Sequence, residues 1–265
     1  MRFDLQINPG TSLWPIARDA ALAAESAGFK TLWIVDHLSG EVMRAPDMPE
    51  CFSLLGALAA VTKKIEIGSL VINVGNRHPG LLANSLATLQ QISGGRVVIG
   101  LGAGASPSSP FAAERRAIGL LPPEKLADRH AVLVQALDVM REMWSQNRRD
   151  ELATFPIADP IPQVIIGANS VALAKIAGAR TNGINVRASH ERAEEILKAA
   201  QVAHESSGID KPFTVSVWEH YDEALLRGED PRLETWRKWG VDRTILLMFK
   251  SVDFNAIERA AKFFR

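Results

Sequence analysis

The chain predicts an α/β fold, a single closed (β/α)8 barrel, on three observations. Short β-rich runs alternate regularly with longer helical patterns, with no second kind of pattern between them. Several runs, Val97-Val98-Ile99 and Val164-Ile165-Ile166 among them, are almost continuous in β-branched residues, as parallel strands covered on both faces require. The length of 265 residues lies close to the ~250 typical of such a barrel, so residues 1–265 are expected to form one domain.

Strands are expected at Arg2–Ile7, Thr31–Val35, Ile65–Ile72, Arg96–Leu101, Gln163–Gly167, Gly183–Arg187, Phe213–Trp218 and Thr244–Phe249. The helical patterns between and after them are Ile16–Ala27, Cys51–Val61, Pro79–Ile92, Glu124–Trp144, Val171–Ala179, His190–Ser206, Pro231–Trp239 and Asp253–Phe263. Gly28 and Gly94-Gly95 sit where a helix ends in a left-handed residue. Ser189 is expected to cap the helix at His190, whose first turns carry Glu191, Glu194 and Glu195. The breaker-rich stretches Gly104–Pro110 and Thr154–Pro162 read as loops.

Thirty Lys and Arg balance thirty Asp and Glu, so no global field favours nucleic acid or an anionic membrane. A single cysteine, Cys51, can form neither an internal disulfide nor a CxxC metal site, which fits a reducing compartment. The N-terminus lacks a signal-peptide core and no run approaches a membrane span, so a cytoplasmic protein is expected.

Barrel chemistry collects at the C-terminal ends of the strands. Those ends carry Asn8, Asp36-His37, Asn73, Gly102–Ala105, Gly167–Ser170, Arg187, Glu219-His220-Tyr221 and Lys250. His37 there can act as a general base, with Asp36 fixing its tautomer or binding a ligand. The plainer alternative is an aspartate bonded to loop backbone beside a half-exposed histidine. Gly100-Leu101-Gly102-Ala103-Gly104-Ala105 matches GxGxxA, but Ser106-Pro107-Ser108-Ser109-Pro110 blocks the helix a dinucleotide fold needs. Gly102, Ala103 and Gly104 either let backbone approach a flat ligand or form a tight turn. Gly167-Ala168-Asn169-Ser170 joins a strand to a helix start, which is a phosphate site or an ordinary cap. The histidines show no HxxxH pair, so no metal is expected; His130, His190 and His204 read as surface residues. Of the tryptophans, mostly core or interface, Trp218 is placed to reach a ligand.

Several segments together resemble a known family. They are Trp33-Ile34-Val35-Asp36-His37, Thr62–Val71 followed by Arg77-His78-Pro79, Leu89–Gly104, Ile161–Ala168 and Gly240-Val241-Asp242. The chain is similar to the bacterial-luciferase-like superfamily of flavin- or deazaflavin-dependent oxidoreductases, mostly from Ala20 to Gly183. The resemblance implies a luciferase-like TIM barrel, usually a homodimer, holding coenzyme F420 or FMN at the C-terminal mouth. It implies a ring lying against a bulge at Leu70-Val71, where relatives often carry a non-proline cis peptide. It also implies that Asp36 contacts the cofactor, that His37 is the base, and that Gly167, Ala168 and Asn169 form the phosphate-binding turn.

Departures accompany the resemblance. Glu41 stands where deazaflavin-dependent dehydrogenases of the family place a tryptophan, and Ala105 where they carry a carboxylate. The Gln146–Pro160 region is shorter than the usual insertion, and Thr181-Asn182-Gly183 replaces Ala-Asp-Gly. The expected activity is an F420-dependent oxidoreductase moving a hydride to or from a small organic substrate. The alternatives are an FMN-dependent monooxygenase supplied by a partner reductase and a cofactor-binding protein without turnover.

Overall fold

Parallel pairing runs unbroken around eight strands in chain order, and β1 (Arg2–Ile7) closes the barrel against β8 (Arg243–Met248). Between them lie β2 (Thr31–Ile34), β3 (Glu66–Asn73), β4 (Val97–Gly102), β5 (Gln163–Gly167), β6 (Gly183–Arg187) and β7 (Thr214–His220). The structure, a computed structural model, describes residues 1–264; Arg265, the end of the expected domain, lies outside them.

The outer layer begins with α1 (Trp14–Ala27), α2 (Cys51–Val61) and α3 (Pro79–Ser93). Gly28 and Gly94 close α1 and α3 in the left-handed region, as expected. After β4 come α4 (Ala113–Ala117) and α5 (Leu126–Met143), then α6 (Val171–Arg180) and α7 (Ala193–Glu205). The last are α8 (Glu223–Arg227), α9 (Arg232–Lys238) and α10 (Phe254–Ala260). Neither α4 nor α8 is foreseen by the sequence, because a five-residue helix shows no periodicity. Ser189 does not cap α7. The chain first makes a turn, with the His190 carbonyl accepting from the Ala193 N–H at 2.9 Å, and the helix opens from Arg192. Among the described residues no helix is long and apolar enough to cross a membrane.

Strand alternation sorts the barrel into an outer core and an inner one. Leu5, Ile7, Leu32, Ile34, Ile67, Ile99, Leu246 and Met248 face the helices. Trp33, Leu70, Val98, Ile165 and Ile245 fill the interior, with Asp4, Gln6 and Arg243 also buried on inward positions. At the N-terminal end, Asp4 Oδ2 accepts from the Trp33 indole at 2.8 Å and lies 3.3 Å from Arg243 Nε. Arg243 also reaches Glu66 at 3.2 Å, and Glu66 accepts from the Thr31 hydroxyl at 2.8 Å. Burial pushes the Asp4 carboxyl up to about 6, against the opposing pull of Arg243 and Trp33.

This end of the barrel therefore relies on charges that tolerate no missing partner. Arg243→Met should destabilise the protein by about 3–5 kcal/mol in urea unfolding at pH 7, since it leaves buried carboxylates uncompensated. The Asp4→Asn/Arg243→Met pair should lose less than the sum of its parts.

Candidate active site

A one-residue irregularity in β3 shapes the mouth. Ser69 pairs with Ile99, but the next pair is Ile72 with Leu101, so β3 carries one residue more than β4 between them. The extra residue falls at Leu70-Val71, whose peptide bond is cis. Leu70 and Val71 consequently both belong to the interior cluster instead of alternating. The Leu70 carbonyl accepts from Gln6 Nε2 at 3.0 Å, and Gln6 Oε1 accepts from the Trp218 indole.

Val71 also explains two of the glycines. A Cβ on Gly102 would stand 2.5 Å from Val71 Cγ2, and one on Gly167 would stand 2.6 Å from Val71 Cγ1. The Val71 side chain is thus clamped between the ends of β4 and β5, and only residues without a side chain fit beside it. Gly104 has φ +77°, with the Asn73 amide 2.9 Å from where its Cβ would be.

A cavity of about 600 Å³ opens on this clamp. From β2 it is lined by Asp36 and His37, and from β3 by Leu70, Val71 and Asn73. Gly102, Ala103 and Gly104 line it from the end of β4, and Gly167, Ala168 and Asn169 from β5. Ser170, the remaining candidate, lies outside the lining, and its hydroxyl caps α6 by accepting from the Leu173 N–H at 3.3 Å. The Ala168 N–H donates to the Asn185 carbonyl at 2.8 Å and is not available to an anion. The N–H groups of Asn169 and Ser170 have no acceptor among the described residues.

Asp36 also has firm partners within the protein. Arg77 grips both its oxygens, at 2.7 and 2.8 Å, and the Asn73 N–H donates to it at 3.1 Å. Burial raises the Asp36 carboxyl above its ordinary value even against these bonds. These bonds tie Asp36 to the chain that leaves β3, and Asp36 still lines the cavity.

Position 105 carries no acid, but a carboxylate meets His37 from Glu114, on the unforeseen α4. Glu114 Oε1 lies 3.0 Å from His37 Nδ1, and Oε2 accepts from the N–H groups of Leu38 at 2.9 Å and Ser39 at 3.2 Å. Burial opposes its ionisation, but His37 and the two N–H groups outweigh that and hold the carboxyl below its usual value. A carboxylate on Nδ1 keeps the proton there and leaves Nε2 as the basic nitrogen. No spacing in the sequence marks this pair, because 77 residues separate its members.

Leu126, Arg129 and His130 line the cavity from α5, the last two with polar groups. Arg129 is 8% exposed; it donates to the carbonyls of Pro123 and Glu124, and its Nε has no partner. His130 lines the same cavity instead of the outer surface; burial and the adjacent Arg129 charge hold it below its ordinary pKa. A cation near the start of a helix, against the dipole, was the available signal. A second cavity, of about 590 Å³, lies across the mouth and shares Val35, His37, Leu70 and Phe111 with the first.

Residues 3–221 match the sequence profile of luciferase-like monooxygenases. The chain belongs to the luciferase-like monooxygenase family. It is 33% identical over 176 residues to an F420-dependent glucose-6-phosphate dehydrogenase of Nakamurella multipartita, a match covering 62% of this chain and 50% of that protein. With the enzyme of the same name from Amycolatopsis mediterranei it shares 27% identity over 236 residues, covering 83% of this chain and 68% of the other. The chain thus spans about half to two thirds of the length of these curated relatives. Among solved structures it resembles an F420-dependent secondary alcohol dehydrogenase in complex with an F420-acetone adduct. The TM-score there is 0.76 at 19% identity, with 100% of both chains covered. That likeness shows the fold.

Two measurements test this geometry. Gly102→Ala should cost about 1–3 kcal/mol by overpacking against Val71, and combining it with Val71→Ala should cost less than the two separately. Glu114 adds stability above its unfolded pKa of about 4.3, lost as pH falls through the lower folded value. The stability difference between the wild-type chain and Glu114→Gln should therefore narrow in urea unfolding below about pH 4.3.

Proposed function

We propose that the chain is a coenzyme F420-dependent oxidoreductase, moving a hydride between the deazaflavin and a small organic substrate. The observation that carries this reading is His37, whose ring lines both cavities while its Nδ1 is held on Glu114. The curated relatives named as F420-dependent dehydrogenases support the choice of cofactor.

The residues present fit such a group. Leu70, Val71 and Ala103 offer an apolar surface for a ring, beside backbone that carries no side chain at Gly102 and Gly104. At the other end the Asn169 and Ser170 N–H groups and the unpartnered Nε of Arg129 suit a phosphate. Bound there, the deazaflavin would supply the two-electron hydride chemistry. The protein's part is then positional and protonic. His37 Nε2 takes or gives the substrate's proton, Glu114 stabilises the imidazolium that forms, and the Asp36–Arg77 pair fixes the loop beside them. Assembly as a cytoplasmic homodimer belongs to the same proposal. No partner reductase is needed with F420, whereas the FMN monooxygenase alternative requires one.

Equilibrium titration with each cofactor tests the choice. F420 should bind more tightly than FMN, and tight FMN binding without F420 binding would transfer the reading to the monooxygenase. His37→Ala should lower kcat by about 10²–10⁴-fold with little change in cofactor affinity, the range for losing a general acid or base. A cofactor-loaded chain that turns over none of a panel of alcohols and ketones would instead mark a binder without turnover.

A further inference from the structure

The second cavity has a charge pattern that the proposed function leaves unused. Arg44, Arg187, His37 and His220 all line it, and no Asp or Glu does. Most arginines of the chain grip a carboxylate or a backbone carbonyl; Arg44, Arg187 and Arg237 are the described ones whose guanidinium meets no acceptor. Two of those three face this one space. Glu219, the carboxylate next to His220 in the chain, is turned to Arg232 at 3.5 Å.

Both arginines are exposed at the mouth, and each shows a local constraint. The Arg187 guanidinium carbon lies 5.4 Å from the centre of the Trp218 ring, within cation–π range, so the side chain has a preferred position. Arg44 adopts φ 52° and ψ 44°, and among the described residues no other non-glycine has a positive φ. An arginine in the left-handed region is disfavoured relative to glycine, and such strain collects where a side chain has work to do.

The rest of the lining describes the body of the ligand. Leu247, Phe249, Trp218, Met43 and Val42 are apolar or aromatic. Gln6, the one amide, has its nitrogen on the Leu70 carbonyl and its oxygen on the Trp218 indole. A hydroxyl-rich body such as a sugar would find few partners here.

We propose that this cavity takes a small organic acid, with an apolar ring-bearing body against Trp218 and Phe249 and a terminal carboxylate or phosphate between Arg44 and Arg187. The assignment rests on the oxidoreductase reading for its meaning, since it makes this acid the substrate and places its reacting carbon toward His37. The binding itself requires neither turnover nor cofactor.

Calorimetric titration of the full chain, with and without saturating F420, compares two acids with their neutral counterparts. The probes are 3-phenylpropionate against 3-phenylpropionamide, and 2-phenylethyl phosphate against 2-phenylethanol. At least one acid should bind tenfold or more above its neutral partner, and the tighter acid identifies the anion. Arg187→Gln and Arg44→Gln should each weaken that acid by about tenfold or more, the range for losing a hydrogen bond to a charged group, and leave the neutral compound unchanged. Arg44→Gly should weaken the acid while raising the melting temperature, a combination that a merely structural arginine would not give. Equal binding of acid and neutral partner, no binding by either acid, or unchanged acid affinity in the arginine variants would each overturn the proposal. So would competition by F420, which would place the acid in the first cavity. Acid selectivity in a chain that fails to bind F420 supports the acid cavity and counts against the cofactor reading alone.

Discussion

The bulge at Leu70-Val71 turns two consecutive residues of β3 into the barrel, and much of the mouth is arranged around that displacement. The Leu70 carbonyl no longer meets a regular strand partner, and the Gln6 amide takes it up from across the interior. Val71 projects toward β4 and β5 and occupies space that side chains at Gly102 and Gly167 would need. Downstream, the Asp36–Arg77 pair and the Asn73 N–H fix the exit from the bulge. One inserted residue thus sets the floor of the first cavity and, through Gln6 and Trp218, part of the wall of the second.

The two ends of the barrel interior differ in what their polar groups meet. At the N-terminal end, Asp4, Trp33, Glu66 and Arg243 are linked to one another, although Asp4 Oδ1 and Arg243 Nη1 have no hydrogen-bond partner. At the C-terminal end, the Asn169 and Ser170 N–H groups, Arg129 Nε, Arg44 and Arg187 have no protein acceptor among the described residues. Arg44 and Arg187 are exposed at this mouth, where the C-terminal strand ends of a barrel meet solvent.

The carboxylate on His37 comes from outside the strand ends. The family's usual acid position holds Ala105, yet Glu114 reaches His37 from a helical turn nine positions further along. The compact loop after β4, with its prolines, brings Ala113–Ala117 back over the mouth. Geometry at the histidine, not the order of residues, is what proton transfer requires.

The architecture is legible in the order of residues alone. The alternation of apolar strands with helical patterns depends on burial periods of two and 3.6 residues, which are local and visible in one chain. It also brought the right strand ends to one mouth, since in an all-parallel barrel every C-terminal strand end faces the same way. Asp36, His37, Gly102 and Gly167 were legible for that reason. What each of them touches is set by packing between distant elements. The occupant beside Gly102 is Val71, the partner of Asp36 is Arg77, and the acid on His37 is Glu114. The capping role of Ser170, the turn that displaces the start of α7, and the inward place of Arg129 and His130 belong with them. Each depends on contacts between elements far apart in the chain, or on short turns without a period, and a single sequence records neither.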